Sequence, residues 1–460
     1  MRRLIAETLR EDPKLAQAKQ LLLDTVLQHQ KAITGILPAD PGRKQSYEET
    51  LAAYGKLRGG KLWYPYLGSG AGKGALVELM DGSIKYDFIS GIGAHWAHAH
   101  QDIIAASFDA AASDLLMQGN LQQNQDSMEL SQLLTKVSGF DHCFLTTSGA
   151  MACENGLKML FQKKHPAHRI LAFERCFMGR TLAMSQVTDK PNFRDGLPAN
   201  VNVDYLPFFD SQRPKESIAA AEAALKNYIK RYPKQHAALC MELIQGEAGF
   251  NVGSREFFLP LIDIARENEI PILIDEVQTF GRTPSLFAFQ YFGLEGLADI
   301  VTVGKISQVC ATLFRDSCKP RPGLLSQTFT GSTSAIHASK VIVTSLTEHG
   351  YLGPKGKIAV LHNRFLLRLE AIASRHPSLI KGPYGIGTMI AFTPFMGDND
   401  KVMKFSYALF EAGVIGFVAG SYPTRLRFLL PAGGITLKDI DVASKIIEQT
   451  LIEQTLVANA

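Results

Sequence analysis

The chain has only six cysteines in 460 residues, at positions 143, 153, 176, 240, 310 and 318, and no two of them form a Cys-x-x-Cys pair. That excludes a disulfide framework and a zinc site built on paired thiols, so reduced cysteines are expected. Net charge is also scarce: 48 Lys plus Arg against 44 Asp plus Glu leave +4. So small and dispersed an excess argues against nucleic acid or a membrane surface as partner and in favour of small molecules. No run approaches the ~18 consecutive apolar residues of a membrane span. Met1-Arg2-Arg3 leads into acidic Glu7, Glu11 and Asp12 rather than into a signal-peptide core, and a cytoplasmic protein is expected. Internal repeats and low-complexity linkers are absent too. With 46% hydrophobic and 20% charged residues, the composition is that of a folded chain long enough for two or three packed regions.

Asp12-Pro13 offers an N-cap followed by proline at the first helical position, and Leu15, Ala18, Leu22 and Val26 recur at helical spacing, which predicts a helix over 13–34. Short β-like pieces come next, such as Ala75 to Leu79 before the Asp81-Gly82 turn. Between about 100 and 345 the strand-like runs His142 to Thr146, Arg169 to Phe173, Ala237 to Leu243, Pro271 to Asp275 and Asp299 to Val303 alternate with helical stretches. That rhythm predicts an α/β fold with a large, doubly wound, mostly parallel sheet. Ile358, Leu361, Phe365, Leu369 and Ile372 then share one helix face and open a smaller α+β domain. The expected division is 1–85 as a helix and β segment of the small domain, 86–345 as the large domain and 346–460 as the remainder of the small one.

Two of the strand-like runs end in Asp275 and, one glycine further on, in Lys305. A parallel sheet would bring this carboxylate and this amine to one rim. A lysine held among apolar neighbours is disfavoured as an ammonium, which suits condensation with an aldehyde. Pyridoxal phosphate carries such an aldehyde, and its pyridine nitrogen calls for a carboxylate partner. Ser148-Gly149-Ala150 joins a strand to a helix, and a turn of small residues there offers free N–H groups to an anion. His95, His98 and His100 lie close together without a carboxylate or cysteine at ligand spacing, so no metal is expected. The glycine-rich run Gly68 to Gly74 lacks a hydroxyl residue after its lysine and is not read as a nucleotide loop.

Set in order, "TTSGAMACENGLK", "FERCFMGRTLAMSQVT", "ELIQGEAGF", "PILIDEVQTFGRT", "DIVTVGK" and "TFTGST" resemble the successive signatures of class III, ω-amino-acid aminotransferases of pyridoxal-phosphate fold type I. Arg425 to Phe428 with Pro431 resembles the C-terminal arginine motif of that family. Within it, Glu154-Asn155-x-Leu157-Lys158 and the residues after Lys305 are most similar to lysine ε-aminotransferases, while ornithine and acetylornithine enzymes share the rest.

The resemblance implies a role for each matching residue. Lys305 would be the Schiff-base lysine and Asp275 the partner of the ring nitrogen. Gln278 would face the phenolic oxygen and Phe177 would stack on the ring. The phosphate would sit at Ser148, Gly149 and Ala150, with Thr333 reaching it from the neighbouring subunit of a homodimer. Arg180 would clamp the far carboxylate of the donor, a task suited to a planar fork. Arg427 would bind the α-carboxylate of 2-oxoglutarate, and Glu247 would pair with Arg427 while the donor is bound. Glu242 ends a strand-like run near the same rim and is read either as a substrate-binding acid or as a hydrogen-bonded structural one. The activity implied is transfer of a terminal amino group from a lysine-type donor to 2-oxoglutarate. Acetylornithine, ornithine or 4-aminobutyrate as donor, an aminomutase or racemase on the same scaffold, and a non-catalytic interaction module are the alternatives.

Overall fold

A computed structural model describes residues 2–114 and 119–459. They pack as two compact units, one of Met1–Ser113, Val360–Pro383 and Thr388–Ala460, the other of Asp114–Ala359 and Tyr384–Gly387. The first segment therefore runs to 113 rather than to 85. The reason is the helix Gln101–Ala111, which docks on the helix Pro13–Gln30 through Lys19 and Asp109, 2.8 Å apart. The second boundary falls at 359 rather than 345.

The second unit is built on seven strands: β1 (His142–Thr146), β2 (Arg169–Phe173), β3 (Asn202–Leu206), β4 (His236–Met241), β5 (Ile272–Glu276), β6 (Ile300–Val303) and β7 (Cys310–Phe314). Their order across the sheet is β1-β7-β6-β5-β4-β2-β3. β7 runs antiparallel to both of its neighbours, while the pairs from β6 to β3 are parallel. Parallel strands covered on both faces read as continuous apolar runs, which is why β4, β5 and β6 stand out in the sequence. The helix Gly149–Lys164 lies on one face, capped by the Ser148 hydroxyl on the Met151 N–H and ending in Lys163 and Lys164, whose charge suits the negative end of the dipole. Its Gly156 comes so close to the sheet that a Cβ there would stand 2.7 Å from Leu273 Cδ1. Cys153, Leu157 and Leu160 of this helix pack against Ile170, Ala238, Leu273 and Ile300 to form the core.

The first unit contains two smaller sheets. One joins Gly68–Lys73, Leu76–Leu79 and Ile84–Asp87 to Val414–Ile415, and its hairpin turns at Gly82, whose φ of +82° suits glycine. The other includes Met389–Pro394, Arg425–Leu429 and Phe417–Ala419. The helix Lys357–Arg375 inserts Leu361, Phe365, Leu369 and Ile372 into this unit's core, where Phe88, Phe365 and Phe428 meet edge to face. Among the described residues no helix is long and apolar enough to cross a membrane.

Candidate active site

β5 and β6 are adjacent and parallel, so the segments leaving their C-terminal ends emerge at the same rim. Asp275 is the fourth residue of β5 and pairs in register with Thr302 of β6. Its Oδ1 accepts the Thr302 hydroxyl at 2.8 Å and the Val277 N–H at 2.9 Å, and the Cys153 thiol lies 3.6 Å from Oδ2. Burial pushes this carboxyl above the usual carboxylate range, opposed by those hydrogen bonds and by the charge of Lys305. Beyond β6 the chain turns sharply. A Cβ at Gly304 would stand 2.8 Å from Cys310 Sγ, and Lys305 adopts φ +52°, a left-handed conformation uncommon outside glycine. Such backbone persists only where the surroundings hold it, and it sets where the side chain points.

Gly149, Ala150, Phe177, Arg180, Glu242, Asp275, Gln278 and Lys305 line one cavity of about 370 Å³, joined by Met178, Val277, Thr279 and Cys310. One floor of it is the N-terminus of the helix Gly149–Lys164, where Val277 Cγ1 would stand 2.6 Å from a Cβ at residue 149, so only glycine fits. The Ser148 hydroxyl is engaged as the helix cap at 3.2 Å from the Met151 nitrogen, and Ser148 is not part of the lining. Gln278 carries a buried Oε1 without a hydrogen-bond partner among the described residues. Phe177 meets Phe193 edge to face at 6.2 Å, and the Arg180 guanidinium lies 3.9 Å from the centre of the same Phe193 ring.

Glu242 comes directly after β4 and is buried, its Oε1 accepting from the Phe177 N–H at 2.7 Å and its Oε2 from the Gly246 N–H at 3.0 Å. Burial, and after it the negative charge of Asp275, push its carboxyl up to about 8. Glu247 accepts from Lys190 Nζ at 2.8 Å. Arg427 belongs to the other unit, where it is fully buried on the strand Arg425–Leu429 with its guanidinium 5.7 Å from the Phe417 ring centre. Thr333, expected to reach a phosphate in a neighbouring subunit, is fully buried in the first turn of the helix Thr333–Glu348, where its hydroxyl donates to the Asp114 carbonyl at 2.9 Å.

Eight of the residues singled out from the sequence thus line one cavity, and comparison of the whole chain decides the family. Residues 66–451 match the family Aminotransferase class-III. The chain belongs to the class-III aminotransferases. It is 29% identical over 379 residues to the acetylornithine aminotransferase of Methanocaldococcus jannaschii, covering 78% of this chain and 87% of that one. Similarity to the acetylornithine aminotransferase of Myxococcus xanthus is 29% over 384 residues, 80% and 89% of the two chains. In structure it is similar to the ornithine aminotransferase of Toxoplasma gondii, with TM-score 0.77, 23% identity and 88% and 95% coverage. Lysine aminotransferase from M. tuberculosis gives TM-score 0.75 at 21% identity, with 85% and 95% coverage. The fold is accordingly that of fold type I pyridoxal-phosphate enzymes, and this transaminase depends on pyridoxal 5'-phosphate.

The cavity fits that group. It combines a lysine amine, a buried carboxylate, an aromatic ring, an amide with an unsatisfied buried oxygen and a helix N-terminus kept free of side-chain bulk. Among the described residues no group of three His, Cys, Asp or Glu could hold a metal ion.

Thr302, Lys190 and Phe193 were not singled out from the sequence. Thr302 had a signal, being the one polar residue in Ile300-Val301-Thr302-Val303 and in step with Asp275. Lys190 caps and Phe193 ends the single 3₁₀ turn Pro191–Phe193, too short to show periodicity in the sequence.

Proposed function

We propose that this enzyme takes the terminal amino group of a lysine-type amino acid and passes it to 2-oxoglutarate, releasing a semialdehyde and glutamate. The observation that supports this is that Arg180 and Lys305 line one cavity: a carboxylate held by the guanidinium leaves a distant amine free to point inward. When bound, pyridoxal phosphate supplies the electron sink that accepts the amino group and later yields it. Lys305 would anchor the cofactor through its amine and, when that amine is released, would move the proton to and from the donor carbon. Asp275 would keep the ring nitrogen protonated, Phe177 would fix the ring plane, and the Gln278 NH₂ would donate to the phenolic oxygen. The backbone of Gly149 and Ala150 would bind the phosphate. Arg427 takes the α-carboxylate of 2-oxoglutarate, a task suited to its planar fork. A homodimer completes the proposal.

A second donor, N-acetylornithine, is favoured by the names that the relatives carry. One methylene in a pocket discriminates by only ~1–3 kcal/mol, so the donors are separable by rate rather than by fold. The test is a panel of lysine, ornithine, N-acetylornithine and 4-aminobutyrate at saturating 2-oxoglutarate, scored by glutamate release. Highest kcat/KM on lysine supports the first reading, and highest on N-acetylornithine replaces it with the second. Turnover of any donor without glutamate would overturn both in favour of an aminomutase.

A further inference from the structure

Two separate loops wall the cavity. One leaves β2 and carries Phe177 to Arg180. The other is the hairpin Ile244–Gln245 with Asn251–Val252, whose turn carries Gly246 and Glu247. Both lean on one side chain. Glu242 Oε1 accepts from the Phe177 N–H at 2.7 Å while Oε2 accepts from the Gly246 N–H at 3.0 Å, so each carboxyl oxygen holds one loop. Further contacts make these two grips matter for the cavity. Gly246 presses on Gln278 so closely that a Cβ there would stand 2.4 Å from Gln278 Oε1. Gln245 Nε2 donates to the Glu174 carbonyl at 2.7 Å, a further tie between these two loops, and Lys190, beyond the helix Leu182–Val187, joins Glu247 at 2.8 Å.

We propose that Glu242 is a positioning residue, neither a substrate ligand nor a proton carrier: its carboxyl group ties the Phe177 loop to the Gly246 turn and thereby sets the ring platform and the Gln278 amide relative to each other. This assignment replaces the expectation that Glu242 meets substrate. It rests on the cavity being the seat of the cofactor and not on which donor is used. An aromatic platform is of use only if its plane is fixed before the ring arrives, and a backbone N–H held by a buried carboxyl does that directly. Both oxygens are occupied as acceptors, and the side chain is only 7% exposed at residue level, which leaves it little to offer a ligand.

The experiment is amide hydrogen exchange on wild type and Glu242→Gln, without and with pyridoxal phosphate, together with cofactor titration of the cofactor-free protein and steady-state kinetics. Glutamine keeps the shape but turns one acceptor into an NH₂ that faces an N–H donor, so one tie must open. In wild type the amides of Phe177 and Gly246 are expected to be protected. In the variant at least one should exchange faster by ~10-fold, one hydrogen bond's equivalent, while the β4 amides are unaltered. The cofactor dissociation constant should rise by a similar ~10-fold, and kcat should fall while donor KM changes little. Glu242→Asp, which keeps the carboxyl group but withdraws it by one methylene, should not restore both protections.

Rapid exchange of both amides in wild type would overturn the proposal without any variant, and therefore also decides the matter should the variants fail to fold. Unchanged cofactor affinity and turnover in Glu242→Gln would do the same. A rise confined to donor KM would make Glu242 a substrate ligand, and loss of one limb of the pH–rate profile at full cofactor affinity would make it a proton carrier. Neither of these results would bear on the donor panel, whose outcome stands apart.

Discussion

Thr302 donates its hydroxyl hydrogen to Oδ1 of Asp275 across 2.8 Å, and the two residues are register partners on adjacent parallel strands. The carboxylate proposed to face a ring nitrogen is thus oriented by the sheet itself, through a hydrogen bond that exists only if β5 and β6 pair in that register. A one-residue slip would turn the hydroxyl to the opposite face.

Thr302→Val removes that donor while preserving shape. Cofactor affinity is expected to fall by roughly 10- to 100-fold, the equivalent of the ~1.5–3 kcal/mol that a hydrogen bond to a charged group contributes. The Asp275 carboxyl should also move further upward, because one of the interactions that holds it down is gone. Titration of cofactor-free protein with pyridoxal phosphate measures the first effect, and an unchanged dissociation constant would show that Val277 alone orients the carboxyl.

Lys305→Ala should cost at least the ~10²–10⁴-fold that a positioned proton carrier contributes, beyond the loss of its covalent role. Glutamate release measures the rate. Mass spectrometry after borohydride reduction, which should find no retained cofactor mass on the variant, tests the attachment independently. Retention of the mass would assign the attachment to another lysine.

Gly149→Ala puts a methyl group into the space held by Val277, whose Cγ1 and Cγ2 would stand 2.6 and 2.9 Å away. Overpacking of this kind costs about 1–3 kcal/mol, so the melting temperature should drop and cofactor affinity with it. Adding Val277→Ala should recover part of the loss. If the double variant is no more stable than the single one, the clash is not with Val277.

The Glu242 carboxyl, shifted from 4.5 up to about 8 by burial first and by Asp275 second, makes stability depend on pH. Unfolded chain releases this proton near the ordinary value while the folded chain keeps it, so the folded state binds more protons between those limits. Stability from this group therefore falls as pH rises through that window and levels off above about 8. The difference in melting temperature between Glu242→Gln and wild type, both without cofactor, should grow in the variant's favour with rising pH. A constant difference across the window would mean that Glu242 is ionised in the folded state throughout.

Much of the sheet was legible because buried parallel strands are written as apolar runs. His142–Thr146 and Arg169–Phe173 were found at their observed bounds, the run Pro271 to Asp275 was displaced by one residue, and the run Asp299 to Val303 began one residue early and ended as observed. β3 was missed because Asn202-Val203-Asp204-Tyr205-Leu206 alternates, as an edge strand does, with Asp204 held by Arg169 and His236. β7 was missed because its five residues come so soon after Lys305 that the motif masked a strand. The helix predicted over 13–34 stops at Gln30, whose side chain turns inward to bond the carbonyl oxygens of Gly72 and Ala99.

The resemblance of its motifs supplied the proposed roles of clamp and platform; the sequence by itself determined that strand ends deliver Asp275 and Lys305 to one rim. Local periodicity and residue chemistry suffice for this, because neighbours along the chain specify both. Only the tertiary structure decided that Thr302 aims the carboxylate, that Phe193 supports both Phe177 and Arg180, and that Glu242 grips two backbone amides. Such pairings depend on sheet register and loop packing between residues far apart in sequence. No local pattern encodes them, because each partner satisfies its own segment equally well until the fold brings the other within hydrogen-bond reach.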